Sequence, residues 1–126
     1  MKIYLASALT RAPEDYKLGV QQLRDKLKTQ HEVLDYFGLG PGTPNEVYLH
    51  DKKCIDQSDV VVAEVSQQSL GVGYEIGYAL STNKKVIALA TDETVVGRMI
   101  KGITDPNYIF LTYKNADEVI KLLKKT

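Results

Sequence analysis

The chain has 126 residues, 44% of them hydrophobic, with 16 basic and 16 acidic side chains and a formal net charge of zero; that length suits one domain, residues 1–126, whose core stands without disulfides or metal. A neutral balance gives no general attraction to nucleic acid or to an anionic membrane, so any phosphate must be met locally. The single cysteine, Cys54, has no partner for an internal disulfide, neither a signal peptide nor an apolar run of membrane-spanning length is read, and the cytoplasm is the expected compartment.

Short β-rich runs alternate with segments of helical period, the pattern of βαβ units around a parallel sheet. KIYLA (2–6) is the first strand. A helix over about 13–28 follows, with Pro13, Glu14 and Asp15 in its first turn and Tyr16, Val20, Leu23 and Leu27 along one face. EVLD (32–35) is the second strand, and FGLGPGT (37–43) is a loop beyond its carboxyl end, where open α/β sheets place ligands. TPNE (43–46) reads as a capping box with Thr43 at the cap, Pro44 at the first helical position and Glu46 closing it, so a helix runs to about Gln57. DVVVAEV (59–65) is the third strand, and SLGVGYEIGYA (69–79) is a glycine-rich turn leading into a helix over 71–81 with Val72, Ile76, Ala79 and Leu80 as its stripe. KVIALA (85–90) and YIFLT (108–112) complete the strands. The last helix, about 116–125, has Asn115 at its cap, Glu118 three residues on, and Ala116, Val119, Ile120 and Leu123 as its stripe. The expected fold is therefore α/β: a single Rossmann-like, flavodoxin-like domain with a five-stranded parallel sheet flanked by helices.

In the second helix, pattern and polarity disagree. Its inward stripe contains Val47, Asp51, Cys54 and Ser58, which puts a carboxylate on the buried side, where charge is costly unless paired or used. The plain alternative is a surface acid on a helix one residue out of register. Cys54, among apolar positions, reads as a small core residue rather than a nucleophile.

The glycines at 71, 73 and 77 do not make a dinucleotide fingerprint, because Ile76 stands where that motif needs glycine. Gly71 and Gly73 mark the entry to a helix, whose backbone amides suit an anion. Glu75 has two readings: an acid favoured by the helix dipole in a first turn, or one of two functional carboxylates with Asp51. Two carboxylates in unlike environments are the usual equipment for glycosidic cleavage, one as nucleophile and one as acid and base.

Three blocks, IYLAS, HDKKCIDQSDVVVAEVSQQSLGVGYEIGYAL and GRMIKGITD, resemble the nucleoside 2-deoxyribosyltransferase family, most closely its branch of 2'-deoxynucleoside 5'-monophosphate N-hydrolases. The resemblance implies that Glu75 attacks the anomeric carbon to form a covalent glycosyl enzyme, that Asp51 is the acid helping the base to leave, and that Tyr4 orients the nucleophile. Read from the residues alone, Tyr4 is simply a core aromatic with a wet tip.

Ser69 stands where the resemblance implies a serine contacting a 5'-phosphate in the hydrolases and an acid in the base-exchanging transferases. The hydrolases' second phosphate-binding serine, donated by the partner subunit, aligns with Gly97, and Arg98 beside it offers a charge instead. Ser7 and Arg11, at and beyond the end of the first strand, are further substrate-binding candidates, as is His50, which is otherwise a surface residue. The family implies a homodimer whose sites are completed by the neighbour, with a nucleotide or nucleoside as substrate. His31 and His50 are too isolated for a metal site, and no metal or organic cofactor is expected. The rival readings are a transferase, differing in what reaches the glycosyl enzyme, and a nucleotide-binding sensor without turnover.

Overall fold

The computed structural model describes residues 1–34 and 40–126. Its elements, in chain order, are β1 (Lys2–Ser7), α1 (Glu14–Lys28), β2 (Glu32–Leu34), α2 (Pro44–Gln57), β3 (Val60–Glu64), α3 (Leu70–Ser81), β4 (Lys85–Thr91), α4 (Arg98–Lys101), β5 (Tyr108–Tyr113) and α5 (Ala116–Lys124). All five strands are parallel, in the order β2-β1-β3-β4-β5. This is the expected doubly wound sheet. The expected continuation of the second strand through Asp35, and residues 37–39 of the expected loop, lie outside the described residues.

Alternation along the strands sorts the core into two layers. Ile3 and Leu5 of β1 face α1 and α5, among Leu23, Leu27, Val119 and Leu123. Tyr4 and Ala6 face α2 and α3, among Cys54, Ile55, Val72 and Ile76. The parity of β1 thus decides which helices meet Tyr4. Cys54 is buried in this second layer, as a small core residue should be.

Helix starts follow their sequence signals. The Thr43 hydroxyl accepts the Glu46 amide at 3.1 Å, and the Glu46 carboxylate accepts the Thr43 amide at 3.1 Å, closing the capping box of α2. Asn115 caps α5 by accepting the Glu118 amide at 3.0 Å. Pro13 precedes α1 in an extended conformation rather than opening it. The short α4, bounded by Gly97 and Gly102, was beyond the reach of periodicity: four residues make one turn and show no stripe. Among the described residues no helix is long and apolar enough to cross a membrane.

The order in which strands are added to the sheet reverses between β1 and β3, since β2 lies on one side of β1 and β3 on the other. Sheets of this order leave a crevice outside the carboxyl ends of the strands at that switch point.

Candidate active site

A cleft of about 830 Å3 lies there, bounded by the end of β1, the loop after it, α2 and α3. Its lining includes Tyr4, Ser7, Arg11, Asp51, Ser69, Gly71 and Glu75. Residues far apart in sequence are thus brought together.

Glu75 and Asp51 come from two helices packed on the same face of the sheet, with Tyr4 between them. The Tyr4 ring is 2% exposed, and its hydroxyl donates a short hydrogen bond to Oε2 of Glu75. Burial pushes Glu75 up to about 7; the Tyr4 hydrogen bond opposes that rise and the Asp51 charge adds to it. Burial and the charge of Glu75 in turn raise the Tyr4 phenol well above its ordinary value. The tyrosine is accordingly a permanent donor, aimed at one oxygen of a carboxylate poised near neutrality.

Asp51 keeps 22% of its side chain exposed. The predicted register of α2 holds at Cys54, which is buried, and at Asp51 and Val47, which are half-buried; Ser58 is buried as the residue ending the helix, and Ile55 shares the inner face. His50 Nδ1 lies 3.2 Å from Asp51 Oδ1 and 3.9 Å from Cys54 Sγ. His50 belongs to the shell behind Asp51 and does not line the cleft.

The glycine-rich segment is a helix, not a turn. Ser69 caps α3, its hydroxyl accepting the Val72 amide at 3.2 Å. Gly73 is inside the helix, and its amide is used by the Ser69 carbonyl at 3.2 Å, which removes it from any anion site. Gly71, at the second helical position, does line the cleft. A Cβ placed on Gly73 or Gly77 would meet nothing within 4 Å, so neither glycine is required by packing within this chain. Glu75 is the sixth residue of α3, beyond the first turn. The dipole therefore does not explain it. Arg11 lines the mouth of the cleft with φ of 61°, a left-handed conformation unusual for a side chain with a Cβ. Gly97 and Arg98 lie outside the cleft of their own chain.

Sequence reasoning did not single out an aromatic wall. Tyr48 of α2 and Tyr74 of α3 meet with ring centroids 6.0 Å apart and hydroxyls 3.3 Å apart. Tyr74 stacks on Tyr78 at 6.5 Å, the Tyr78 hydroxyl donates to Asp56 at 2.5 Å, and Lys52 Nζ lies 5.4 Å from the Tyr78 ring centroid. The available signal was spacing: Tyr74 and Tyr78 are one helical turn apart, and Tyr48 is one turn before Asp51. Among the described residues no three His, Cys, Asp or Glu side chains converge as a metal site.

Residues 3–108 match the family model described as nucleoside 2-deoxyribosyltransferase, and the chain belongs to that family. A Thermofilum pendens protein that carries the provisional name 2'-deoxynucleoside 5'-phosphate N-hydrolase 1 is 40% identical over 133 residues, covering 98% of this chain and 92% of its own. The 5-hydroxymethyl-dUMP N-hydrolase of Danio rerio is 32% identical over 136 residues, covering 99% of this chain and 94% of its own. Among solved structures, the Clostridium botulinum CMP N-glycosidase BcmB superposes with a TM-score of 0.76 at 25% identity, covering 99% of this chain and 98% of that one. The relatives thus act on nucleotides, and the family and branch expected from the central block stand.

Proposed function

We propose that the protein hydrolyses the N-glycosidic bond of 2'-deoxynucleoside 5'-monophosphates, releasing the free base and deoxyribose 5-phosphate. The observation that carries this reading is the hydrogen bond from the Tyr4 hydroxyl to Oε2 of Glu75 inside a cleft that Asp51 also lines. That bond leaves the second oxygen of Glu75 to attack. In the first step Glu75 forms a bond to C1' of the sugar as the C1'–N bond breaks. The bonding pair passes to the base, which takes from Asp51 the single proton that the two carboxyl groups share once substrate is bound. In the second step Asp51, now a carboxylate, removes a proton from water as its oxygen bonds C1' and the ester to Glu75 breaks. Glu75 and protonated Asp51 are thereby restored.

The phosphate is assigned to the start of α3. The Ser69 hydroxyl accepts the Val72 amide and still has its own hydrogen to donate. The amides of Leu70 and Gly71 precede the first intrahelical bond, at the positive end of the helix. Arg11 and Ser7, which line the same cleft, supply a charge and a hydroxyl.

The active unit is a homodimer in this reading. Leu70 is 97% exposed beside the cleft, Met99 is 87% exposed beside Arg98, and both suit burial against a second copy that brings its Gly97 and Arg98 to the phosphate. The testing experiment incubates wild type and Glu75→Gln with deoxynucleosides and their monophosphates, with and without added free base, and follows base release by chromatography. Release from monophosphates by wild type alone supports the reading. Faster consumption of nucleosides when a base is added assigns the protein to base exchange instead, and turnover by Glu75→Gln removes Glu75 as nucleophile.

A further inference from the structure

Glu64, the last residue of β3, is only 2% exposed and lies in the α1/α5 layer, on the other face of the sheet from Glu75. It takes no part in bond cleavage. A buried carboxyl group is costly, and an apolar side chain would fill the place without that cost. What the carboxyl does instead is accept two donors. Its Oε1 accepts the Ser66 amide at 2.6 Å, and its Oε2 accepts the hydroxyl of Tyr113 from the end of β5.

The contacts extend to three loops at the carboxyl edge of the sheet. The Glu64 carbonyl accepts the Tyr16 hydroxyl at 3.0 Å, and that hydroxyl accepts the Ala8 amide at 3.2 Å, tying down the loop that carries Arg11. The Ser66 hydroxyl accepts the Thr91 amide at 2.9 Å, and Thr91 Oγ1 lies 2.6 Å from Thr94 Oγ1, tying down the loop that leads to Gly97. Ser66 itself begins the loop that ends at Ser69. The segments assigned to the phosphate are thus joined at the end of β3: the loop after β1 to the Glu64 main chain, and the loops after β3 and β4 through Ser66, whose amide the Glu64 carboxyl holds.

We propose that Glu64, clamped by Tyr113, is a positioning residue that holds the loops after β1, β3 and β4 in register for binding the 5'-phosphate. The proposal rests on the phosphate reading above. It separates the two ends of the site: bond cleavage on the α2/α3 face, phosphate placement through a hydrogen-bonded unit on the opposite face. Burial raises the pKa of Glu64, and the bonds from Tyr113 and Ser66 oppose that rise. A glutamine, which keeps an acceptor for the Ser66 amide, is therefore the conservative replacement.

The test measures kcat and KM for a deoxynucleoside monophosphate and for its nucleoside, together with Tm, in wild type, Glu64→Leu, Glu64→Gln and Tyr113→Phe. Glu64→Leu is expected to raise KM for the monophosphate about tenfold with kcat little changed, the mark of lost ground-state and transition-state binding alike. Its nucleoside kinetics should stay within about twofold of wild type. Tyr113→Phe should raise the same KM by about threefold, and Glu64→Gln should restore most of the loss seen with leucine. Should Glu64→Leu fail to fold, Tyr113→Phe decides. A lowered Tm with unchanged KM, or equal losses on both substrates, overturns the positioning role while leaving the phosphate reading intact. A wild type that does not prefer the monophosphate overturns both, and that result is visible without any variant.

Discussion

The Tyr4 hydroxyl donates to Oε2 of Glu75, joining the first strand to the middle of α3 across 71 positions of sequence. The carboxylate is pushed up to about 7 by burial even with this bond opposing the rise. In the proposed mechanism Glu75 attacks as a carboxylate while Asp51 holds a proton, so the pair must keep one proton; above about 7 that proton is lost, and kcat/KM should fall as pH rises through about 7. Tyr4→Phe removes a donor that favours the ionised form, so this limb should move up by about one to two pH units. A pH–rate profile whose alkaline limb stays in place in Tyr4→Phe would show that the tyrosine does not tune Glu75.

The same shift has a stability consequence. Glu75 holds its proton up to about 7 in the folded chain, against 4.5 for an unperturbed carboxyl. Between those values the folded state binds more protons than the unfolded one, so this group's contribution to stability falls as pH rises through that window. Glu75→Gln removes the penalty. It should stabilise the protein by roughly 3 kcal/mol at pH 8 and by little at pH 4.5, read as the difference in Tm or in denaturant midpoint. Equal stability of the two proteins at pH 8 would mean that Glu75 is not desolvated in the free enzyme.

Asp51→Asn keeps the shape of the acid and removes its proton. Base release from natural substrates should slow about 10²- to 10⁴-fold, whereas a substrate with a leaving group that needs no proton should be cleaved almost as before. Equal losses on both substrates would place Asp51 in another step.

Ser69 caps α3, and the proposed function gives it a second duty, the phosphate contact. Ser69→Ala loses both, with about 1 kcal/mol of stability from the cap. Ser69→Asp keeps a capping oxygen but sets a negative charge beside the phosphate, so its Tm should hold while its preference for the monophosphate over the nucleoside drops at least about tenfold. Retention of that preference by Ser69→Asp would move the phosphate away from the start of α3.

If Arg98 acts on the partner's site, inactive chains should complement one another. A mixture of Glu75→Gln and Arg98→Ala, unfolded and refolded together, forms mixed dimers with one complete site and should recover about a quarter of wild-type activity. No gain over the separately refolded variants, or a monomer in solution, would remove the partner from the site.

Much of this molecule was legible in its sequence because the signals are local. Period-two strands, the Thr43–Glu46 box, the Asn115 cap and the helical stripes each follow from steric and hydrogen-bonding preferences over a few residues, and together they specify a parallel five-stranded sheet. Asp51 stood out because a carboxylate fell on an apolar stripe. The central block carried the family.

Tertiary structure decided what depends on residues remote in sequence. Gly71 and Gly73 read as a turn because glycine breaks local patterns, but packing Val72, Ile76 and Ala79 on the sheet extends the helix through both. That placed Glu75 beyond the first turn and took the Gly73 amide out of use. Glu64 is one polar residue in an apolar strand, and its partners Tyr113 and Tyr16 reach it only through the packing of β5 and α1. The raised pKa of Glu75 is likewise a tertiary property: desolvation depends on what packs around a group, and Tyr4, Asp51 and the helices that enclose them meet only when β1, α2 and α3 share one face of the sheet.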